Sequence, residues 1–270
     1  MTPYQLYQVD AFASKLFTGN PAAVMPLKEW LPDETLLNIA KENNLAETAY
    51  VIAKGNGQYK LRWFTPGIEV DLCGHATLAT SHILYTQMGE TSKTITYETK
   101  SGPLRVERRG QGYEMDFPAY SPGTEAPEYL DQITQACGAT PDLIRNGDFL
   151  VAIYDDPEII RKMKPNKTLI EQMGTGESGH QGCLLVTAPG DLGFDFISRF
   201  FAPGVGIPED PVTGSAHCML APYWAERLGK TELKAFQASP RGGEVLCRLD
   251  GDRVHLEGRA VTYLRGTIEV

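Results

Sequence analysis

The chain has 270 residues, 42% of them hydrophobic, and a net charge of −9. That length suffices for two domains of ordinary size, and the composition is that of a globular protein. The acidic balance and the lack of a Lys/Arg stripe argue against a nucleic-acid partner, and no apolar run approaches the roughly 18 residues of a membrane span. Five irregularly spaced cysteines, with no signal-peptide pattern at the N-terminus, predict free thiols in a cytoplasmic protein.

Hydrophobic periodicity in the first half predicts many strands and two helices. Strands are expected over residues 4–12, 22–25, 48–52, 59–64, 94–97, 104–108 and 113–117. An amphipathic helix is expected over 34–43. A second helix, over 75–88, is apolar or small on most faces, which is typical of a buried helix.

Residues 118–127 contain three Pro and one Gly, which indicates a linker to a second half of similar character. Helices are expected there over 129–137 and 215–228, and Pro222 predicts a kink or an early break in the latter. Strands are expected over 149–154, 183–187, 194–201, 234–238, 244–249, 253–256 and 260–268.

One motif occurs twice, in residues 62–76 and again in residues 199–216. Each copy runs from Arg and two aromatic residues through Pro-Gly and an acidic loop to a Gly that opens a helix. Aligning Gly74 with Gly214 produces the further pairs Glu69 with Glu209, Cys73 with Thr213, and His75 with Ser215. The repeat predicts a pseudo-symmetric protein whose site lies where the two halves face each other.

Each buried helix is predicted to begin at a glycine in a polar loop, Gly74 or Gly214. The first N–H groups of a helix lack internal partners, and the helix dipole adds positive potential there. Such an end can hold a carboxylate, or the enolate that forms when a proton leaves carbon. The alternative is that these glycines only permit tight packing.

Two acids are candidates for proton transfer. Glu47 stands at the mouth of an apolar strand, where a charged residue is either paired, functional or exposed at the strand end. Asp210 precedes Pro211 and lies four residues before Gly214, so it is either a site residue or a turn and helix-capping residue.

Cys73 adjoins the predicted start of a helix, where a thiol pKa can be lowered so that the thiolate becomes a usable base. We therefore expect Cys73 to be accessible and more reactive than Cys137 or Cys247. Cys73 with His75 also suggests a metal pair, but the chain lacks the ligand framework of zinc sites, and we expect no metal.

The stretch 174–179 matches the G-x-G-x-x-G dinucleotide fingerprint. The fingerprint must open a helix, whereas the following residues have the pattern of a strand. A hairpin loop explains the stretch better, so a nucleotide-dependent oxidoreductase is the weaker alternative function.

Several stretches together resemble the PhzF-type family, named for a phenazine-biosynthesis isomerase, within the diaminopimelate-epimerase-like fold. The matching stretches are V-D-A-F at 9–12, G-N-P-A-A-V at 19–24, E-T-A at 47–49, G-H-A-T at 74–77 and E-D-P-V-T-G-S-A at 209–216. They span most of the chain in the family's order.

The resemblance implies an α+β protein of two pseudo-symmetric domains, each a barrel-like and mostly antiparallel sheet wrapped around a central helix. The first domain is expected to cover 1–118, joined by 258–270, and the second 119–257. The resemblance also implies a site that works without a cofactor.

Family roles carried over by motif make Glu47 the main acid/base, with His75, Asp210 and Ser215 completing the polar site. Cys73 stands where related epimerases have their first catalytic cysteine, and it either acts beside Glu47 or only packs. Thr213 stands at the second cysteine position, which excludes a two-thiol epimerase. The expected substrate-binding positions are Asn20, Gly74, Ala76, Thr213, Gly214 and Ser215.

The sequence thus predicts a cofactor-independent isomerase or epimerase, in which a proton moves on a small carboxylate-bearing metabolite. The expected partners are that small molecule and a second copy of the chain in a homodimer, with no nucleic acid and no membrane. A non-catalytic metabolite-binding protein on the same fold is the main alternative.

Overall fold

The structure, a computed structural model, describes residues 1–174 and 181–270. Within them the chain is a mixed α+β protein with six α-helices and mostly strands, as predicted. The helices are α1 (Asp33–Asn43), α2 (Gly74–Gln87), α3 (Leu130–Cys137), α4 (Pro157–Lys162), α5 (Lys167–Glu171) and α6 (Gly214–Leu228). None of the described helices is long and apolar enough to cross a membrane.

The strands are β1 (Pro3–Ala11), β2 (Asn20–Leu27), β3 (Glu47–Gly55), β4 (Gln58–Phe64), β5 (Glu69–Val70), β6 (Thr94–Thr99), β7 (Gly102–Arg109), β8 (Gly112–Pro118), β9 (Thr124–Glu125), β10 (Leu143–Asn146), β11 (Leu150–Ile153), β12 (Leu184–Pro189), β13 (Phe196–Ala202), β14 (Ile207–Asp210), β15 (Glu232–Gln237), β16 (Gly243–Asp250), β17 (Arg253–Gly258) and β18 (Ala260–Glu269). Short 3₁₀ helices cover Pro127–Tyr129 and Pro203–Val205.

The chain divides into two compact units. The first comprises Met1–Asp116 and Glu257–Val270, and the second comprises Phe117–Leu256. The last strand, β18, returns to the first unit because it pairs with β1 along its length.

In the first unit β18, β1 and β2 are antiparallel neighbours, and β2 pairs in parallel with β3. The sheet continues through β4, which pairs in parallel with β6, and then through β7 and β8. Helix α2 packs against β1, β2, β3 and β18. Because ten of its fourteen residues are buried, it is the central helix of this unit, as its apolar faces predicted.

The second unit repeats the pattern of strand pairing found in the first. The parallel pair β2 and β3 corresponds to β11 and β12, and the parallel pair β4 and β6 corresponds to β13 and β15. The antiparallel pairs β3–β4, β4–β5 and β6–β7 correspond to β12–β13, β13–β14 and β15–β16. Helix α6 follows β14 as helix α2 follows β5, so the repeated motif marks a repeated order of elements.

An arginine–glutamate pair holds the acidic loop in each copy of the motif. The guanidinium of Arg62 donates to both carboxylate oxygens of Glu69, at 2.7 and 2.8 Å, and that of Arg199 donates to Glu209 at 2.8 and 2.9 Å. Two parallel N–H···O bonds fix the angle between partners as well as their distance. The pair therefore fastens strand β4 or β13 to the loop that leads into the buried helix.

The remaining nitrogen of each arginine ties the pair to a preceding helix. Arg62 Nη1 lies 2.9 Å from the carboxylate of Asp33 at the start of α1. Arg199 Nη1 donates to the carbonyls of Ile160 and Met163, at 3.1 and 2.7 Å, at the end of α4. A guanidinium can make all these bonds because it carries five donors in one plane.

Pro222 does not break helix α6, which continues to Leu228. A proline in a helix frees the carbonyl four residues earlier, here that of Cys218. The backbone N–H of Tyr120 donates to this carbonyl at 3.1 Å, so the freed acceptor is satisfied. The prediction of an early break was therefore wrong.

Two short helices, α4 and α5, were not predicted. Asp156 caps α4 and Asn166 caps α5 through side-chain bonds to backbone N–H groups, at 2.9 and 3.2 Å. Their length of about one turn leaves no periodicity to detect. Of the Gly-rich stretch predicted as a hairpin loop, residues 175–180 lie outside the described residues.

We expect Arg199→Leu to destabilise the protein by roughly 3–5 kcal/mol, because it leaves the carboxylate of Glu209 buried without its partner. The double variant Arg199→Leu/Glu209→Leu should recover part of that loss. The free energy of unfolding in urea measures both.

Lys54→Met is the control, since the Lys54–Glu98 pair is largely exposed and its loss should change the free energy of unfolding little. Equal losses in Arg199→Leu and Lys54→Met would show that the Arg199 pair does not hold the fold.

Candidate active site

Glu47 is the first residue of β3 and lies at the buried end of that strand. Its position opposite Ala22 in the parallel partner β2 sets its place in the sheet. Only 8% of Glu47 is exposed, and the next four residues of the strand are buried too. A carboxylate in such surroundings needs a charged or hydrogen-bonding partner.

His75 provides that partner from helix α2. The ring nitrogen Nε2 of His75 lies 2.9 Å from Oε2 of Glu47, an ion-pair distance that falls outside hydrogen-bond geometry. His75 is 6% exposed, so both members of the pair are withdrawn from water. Both atoms are buried and face each other, so the ring and the carboxylate interact as a pair.

Cys73 and Asn20 lie against the other ring nitrogen of His75. Sγ of Cys73 is 3.5 Å from Nδ1, and Nδ2 of Asn20 is 3.2 Å from the same atom. Asn20 is fully buried at the start of β2. The carboxylate and the thiol therefore face opposite sides of one imidazole, the arrangement of a short proton relay.

The turn before Asn20 is shaped by Asp10 and Gly19. The carboxylate of Asp10 accepts a bond from the Phe17 N–H at 2.9 Å, which folds the loop back onto β1. Gly19 has φ +68°, and a Cβ there would lie 2.1 Å from the carbonyl oxygen of Ala11. Only glycine fits this close approach, so the turn that delivers Asn20 depends on it.

The pKa of His75 is raised well above its ordinary value of 6.5. Burial by itself disfavours the charged ring, but the neighbouring Cys73 sulfur and Glu47 carboxylate outweigh it. A doubly protonated ring needs an acceptor at Nδ1. The Asn20 side-chain amide meets that need in the orientation that places its oxygen against Nδ1.

The thiol of Cys73 does not have the lowered pKa that its place beside a helix start suggested. Burial raises its pKa first, and the nearby Glu47 carboxylate raises it further. The His75 ring and the Ala76 amide act in the opposite direction but are outweighed. Because Cys73 is only 7% exposed, the expectation of an accessible, ionised thiol was wrong.

The donor atoms of Glu47, Cys73 and His75 lie within 4.8 Å of one another and form a set that can hold a metal ion. Zinc accepts this combination of carboxylate, thiolate and imidazole. However, a metal bound between Sγ and Nδ1 would leave Glu47 against the far nitrogen of the ring. The geometry therefore suits a proton relay through the imidazole better than a three-ligand metal site.

The second unit gathers Asp210 and Thr213 in the loop before α6. The hydroxyl of Thr213 donates to the Asp210 carboxylate. Gln237, which is fully buried, accepts from the Thr213 N–H at 2.8 Å and donates to the Asp210 carbonyl at 2.7 Å. Gly214 opens the helix, and Ser215 follows it as an exposed residue.

The two helix starts are built alike. Cys73 and Thr213 both have extended backbone at the cap position, and neither helix receives a side-chain cap. The N–H groups that open the two helices, those of Gly74 and Gly214, therefore lack a capping side-chain acceptor, whereas the Ala76 amide faces the Cys73 sulfur.

The acid at the start of β3, Glu47, has no acidic counterpart at the start of β12. Thr48 lies opposite Phe64 in the first unit, and Leu184 lies opposite Phe201 in the second. Since Phe64 and Phe201 are equivalent in the repeated motif, the counterpart of Glu47 is Cys183. The predicted site residues thus fall into two clusters, one with acid–base groups and one with hydrogen-bonding groups.

Sequence reasoning missed Gln237, although its strand contains the signal. Leu233, Ala235 and Gln237 alternate along β15 on its buried face. A glutamine that continues an apolar face is expected to hydrogen-bond inside the protein. Arg62 and Arg199 were noticed as parts of the motif, but their glutamate partners were not predicted.

Comparison with known proteins places this chain in a family. The model of the phenazine biosynthesis-like (PhzC-PhzF) family matches residues 9–266. A Pseudomonas aeruginosa protein named as an uncharacterized isomerase is 47% identical, and the alignment covers 98% of each chain. The human phenazine biosynthesis-like domain-containing protein is 40% identical, over 97% of this chain and 98% of its own.

Solved structures agree in fold. A crystal structure of a PhzF-family protein from Enterococcus faecalis matches with a TM-score of 0.94 and 41% identity, over the whole of both chains. A hydroxyproline epimerase from Agrobacterium vitis matches with a TM-score of 0.57 and 12% identity, over 99% of this chain and 91% of its own, which is a likeness of fold alone. With its family model, its relatives and the motifs around Glu47 and His75 in agreement, the chain belongs to the phenazine biosynthesis-like (PhzF) family.

Proposed function

We propose that this protein is a cofactor-independent isomerase or epimerase that moves a proton on a carbon of a small carboxylate-bearing metabolite. The observation that carries the proposal is the buried Glu47–His75 pair with Cys73 across the ring. A similar protein from Halalkalibacterium halodurans, 45% identical over 97% of each chain, is also named as an isomerase, which supports the reaction class.

Glu47 takes the proton from carbon in this proposal. Oε2 is the oxygen turned towards His75, so Oε1 is the oxygen that receives the proton. The proton then returns to the same carbon, giving an epimer, or to a neighbouring carbon, giving a double-bond isomer. A carboxylate withdrawn from water suits this role, because it can exchange a proton with carbon without competition from solvent.

His75 compensates the change of charge at Glu47. While Glu47 is ionised, the imidazolium stabilises it, and as Glu47 accepts a proton the positive ring remains next to the developing enolate. An electrostatic partner fixed before the reaction begins is the kind that lowers a barrier most.

Cys73 serves in this proposal as a neighbour that orients the His75 ring and not as a thiolate base. Burial raises the pKa of its thiol. The sulfur lies 3.5 Å from Nδ1 of His75 and helps to hold the ring against Glu47. This role needs no accessible sulfur, which agrees with the burial of Cys73.

For the second unit we propose a substrate-binding role for Thr213, Gly214 and Ser215 and an orienting role for Asp210. Hydroxyl groups and helix N–H groups are suited to bind a carboxylate. The support is the uncapped start of α6 and the hydrogen bonds that fix Asp210 and Thr213 on Gln237.

We expect Glu47→Gln to lower turnover at least roughly a hundredfold, the lower range for loss of a general acid–base group. The assay incubates the protein in deuterium oxide with single carboxylate metabolites that carry an acidic C–H bond, and mass spectrometry detects gains of one mass unit. Glu42→Gln, an exposed acid on α1, is the control and should keep the wild-type rate.

Wild-type protein that binds such a metabolite without exchanging its proton would be a binding protein and would refute the proposal. Equal exchange by Glu47→Gln and wild type would leave the enzyme class standing but remove Glu47 from its role.

Wild-type Cys73 should alkylate with iodoacetamide at neutral pH no faster than Cys137 or Cys247, because burial raises the pKa of all three thiols. Peptide mapping after timed labelling measures the three rates. Rapid, selective labelling of Cys73 would show an exposed thiolate and would return the sulfur to the role of a base.

The stability that His75 contributes should depend on pH in a defined direction. A group whose pKa is raised on folding contributes fully below its unfolded value and loses that contribution as the pH rises through the folded value. The difference in unfolding free energy between wild type and His75→Asn should therefore be largest below pH 6.5 and shrink above it. Urea unfolding across this range measures the difference, and a gap that widens with pH would contradict the assignment.

A further inference from the structure

A cavity of about 570 Å³ lies within the second unit, and none of its lining residues belongs to the candidate active site. Its walls come from the loop after β8, from β10 and from the second half of α6. The residues that matter here are Tyr120, Leu143, Arg145, Pro222, Tyr223 and Glu226. Its volume falls in the range of roughly 300–1,000 Å³ that is typical of small-molecule sites.

Arg145 brings a positive charge to this cavity. Its Nη1 donates to the carbonyl of Gly123 at 3.0 Å, and its guanidinium lies over the ring of Tyr223, 5.9 Å from the centroid. Its Nε is buried and has no hydrogen-bond partner among the described residues. No described carboxylate forms an ion pair with it. A buried N–H of a cation without an acceptor is costly, which indicates that a ligand supplies one.

Tyr223 offers a second unused polar atom. Its hydroxyl is buried and without a partner among the described residues, whereas a buried tyrosine hydroxyl usually has one. The residue follows Pro222 in α6. The bond from the Tyr120 N–H to the carbonyl that Pro222 frees holds the Tyr120 side of the cavity against the helix.

We propose that this cavity binds a small planar carboxylate, of the class of aromatic acids. The Nε and Nη2 edge of a guanidinium matches the two oxygens of a carboxylate in one plane. The Tyr223 hydroxyl donates to one of those oxygens, and the rings of Tyr120 and Tyr223 pack on the planar body of the ligand. This binding site is separate from the acid–base cluster around Glu47.

Two further charges lie at the mouth of the cavity. Arg227 is half exposed and pairs with Asp155 at 3.4 Å, so its charge is partly neutralised. Glu226 is exposed and repels an anion, but water screens it more strongly than the buried edge of Arg145. Removal of the Glu226 charge should therefore strengthen binding.

Isothermal titration calorimetry with benzoate tests the proposal, with the neutral benzamide as matched ligand control. Hydrogen exchange followed by mass spectrometry locates the ligand. Benzoate should bind, protect the segments around Tyr120 and Tyr223 from exchange, and bind more tightly than benzamide. Arg145→Gln should weaken benzoate binding by roughly tenfold or more, whereas Glu226→Gln should strengthen it.

Glu47→Gln is the control for binding at the candidate active site. Benzoate should protect the same segments from exchange in this variant as in wild type. Because Glu226→Gln is an exposed substitution, its effect is independent of any folding defect in Arg145→Gln. No benzoate binding, protection confined to the surroundings of Glu47, or equal affinity in wild type and Glu226→Gln would overturn the proposal.

Discussion

The buried ion pair between Glu47 and His75 is the constraint on which the candidate site depends. Each charge costs several kcal/mol to withdraw from water, so neither is stable in place without the other. The pair joins the start of β3 to the first turn of α2. The parallel register of β2 with β3, the glycine turn before Asn20 and the burial of α2 all serve to bring these two side chains to 2.9 Å.

The two units share one pattern of strand pairing, but the side chains near the start of the buried helix differ in chemistry. The arginine–glutamate pair fastens the loop before the buried helix in both units, which explains why this part of the motif recurs. The positions around it diverge: Glu47 corresponds to Cys183, and His75 to Ser215. The first unit therefore has a carboxylate, an imidazole and a thiol side by side, while the second has hydroxyl, amide and carboxylate groups linked through Gln237.

The sequence predicted what local pattern encodes: the α+β class, the two buried helices and the repeated motif that relates them. The family resemblance placed Glu47 and His75 in one site, but no local pattern paired them, because His75 lies 28 residues away and meets Glu47 only through sheet register and helix burial. The thiol of Cys73 was misjudged because a helix start lowers a thiol pKa only where the sulfur remains near water. The early break that was one expectation at Pro222 does not occur, because a distant backbone N–H satisfies the carbonyl that the proline frees.

The most direct test of the ion pair is a nuclear magnetic resonance titration of the histidine ring protons in wild type and Glu47→Gln. In wild type, His75 should titrate well above 6.5, while burial lowers the pKa of His82 and of His217 to about 4. Removal of the Glu47 charge should lower the pKa of His75 and leave the other two in place. A His75 ring that titrates below 6.5 in wild type, or that does not respond to Glu47→Gln, would contradict the account.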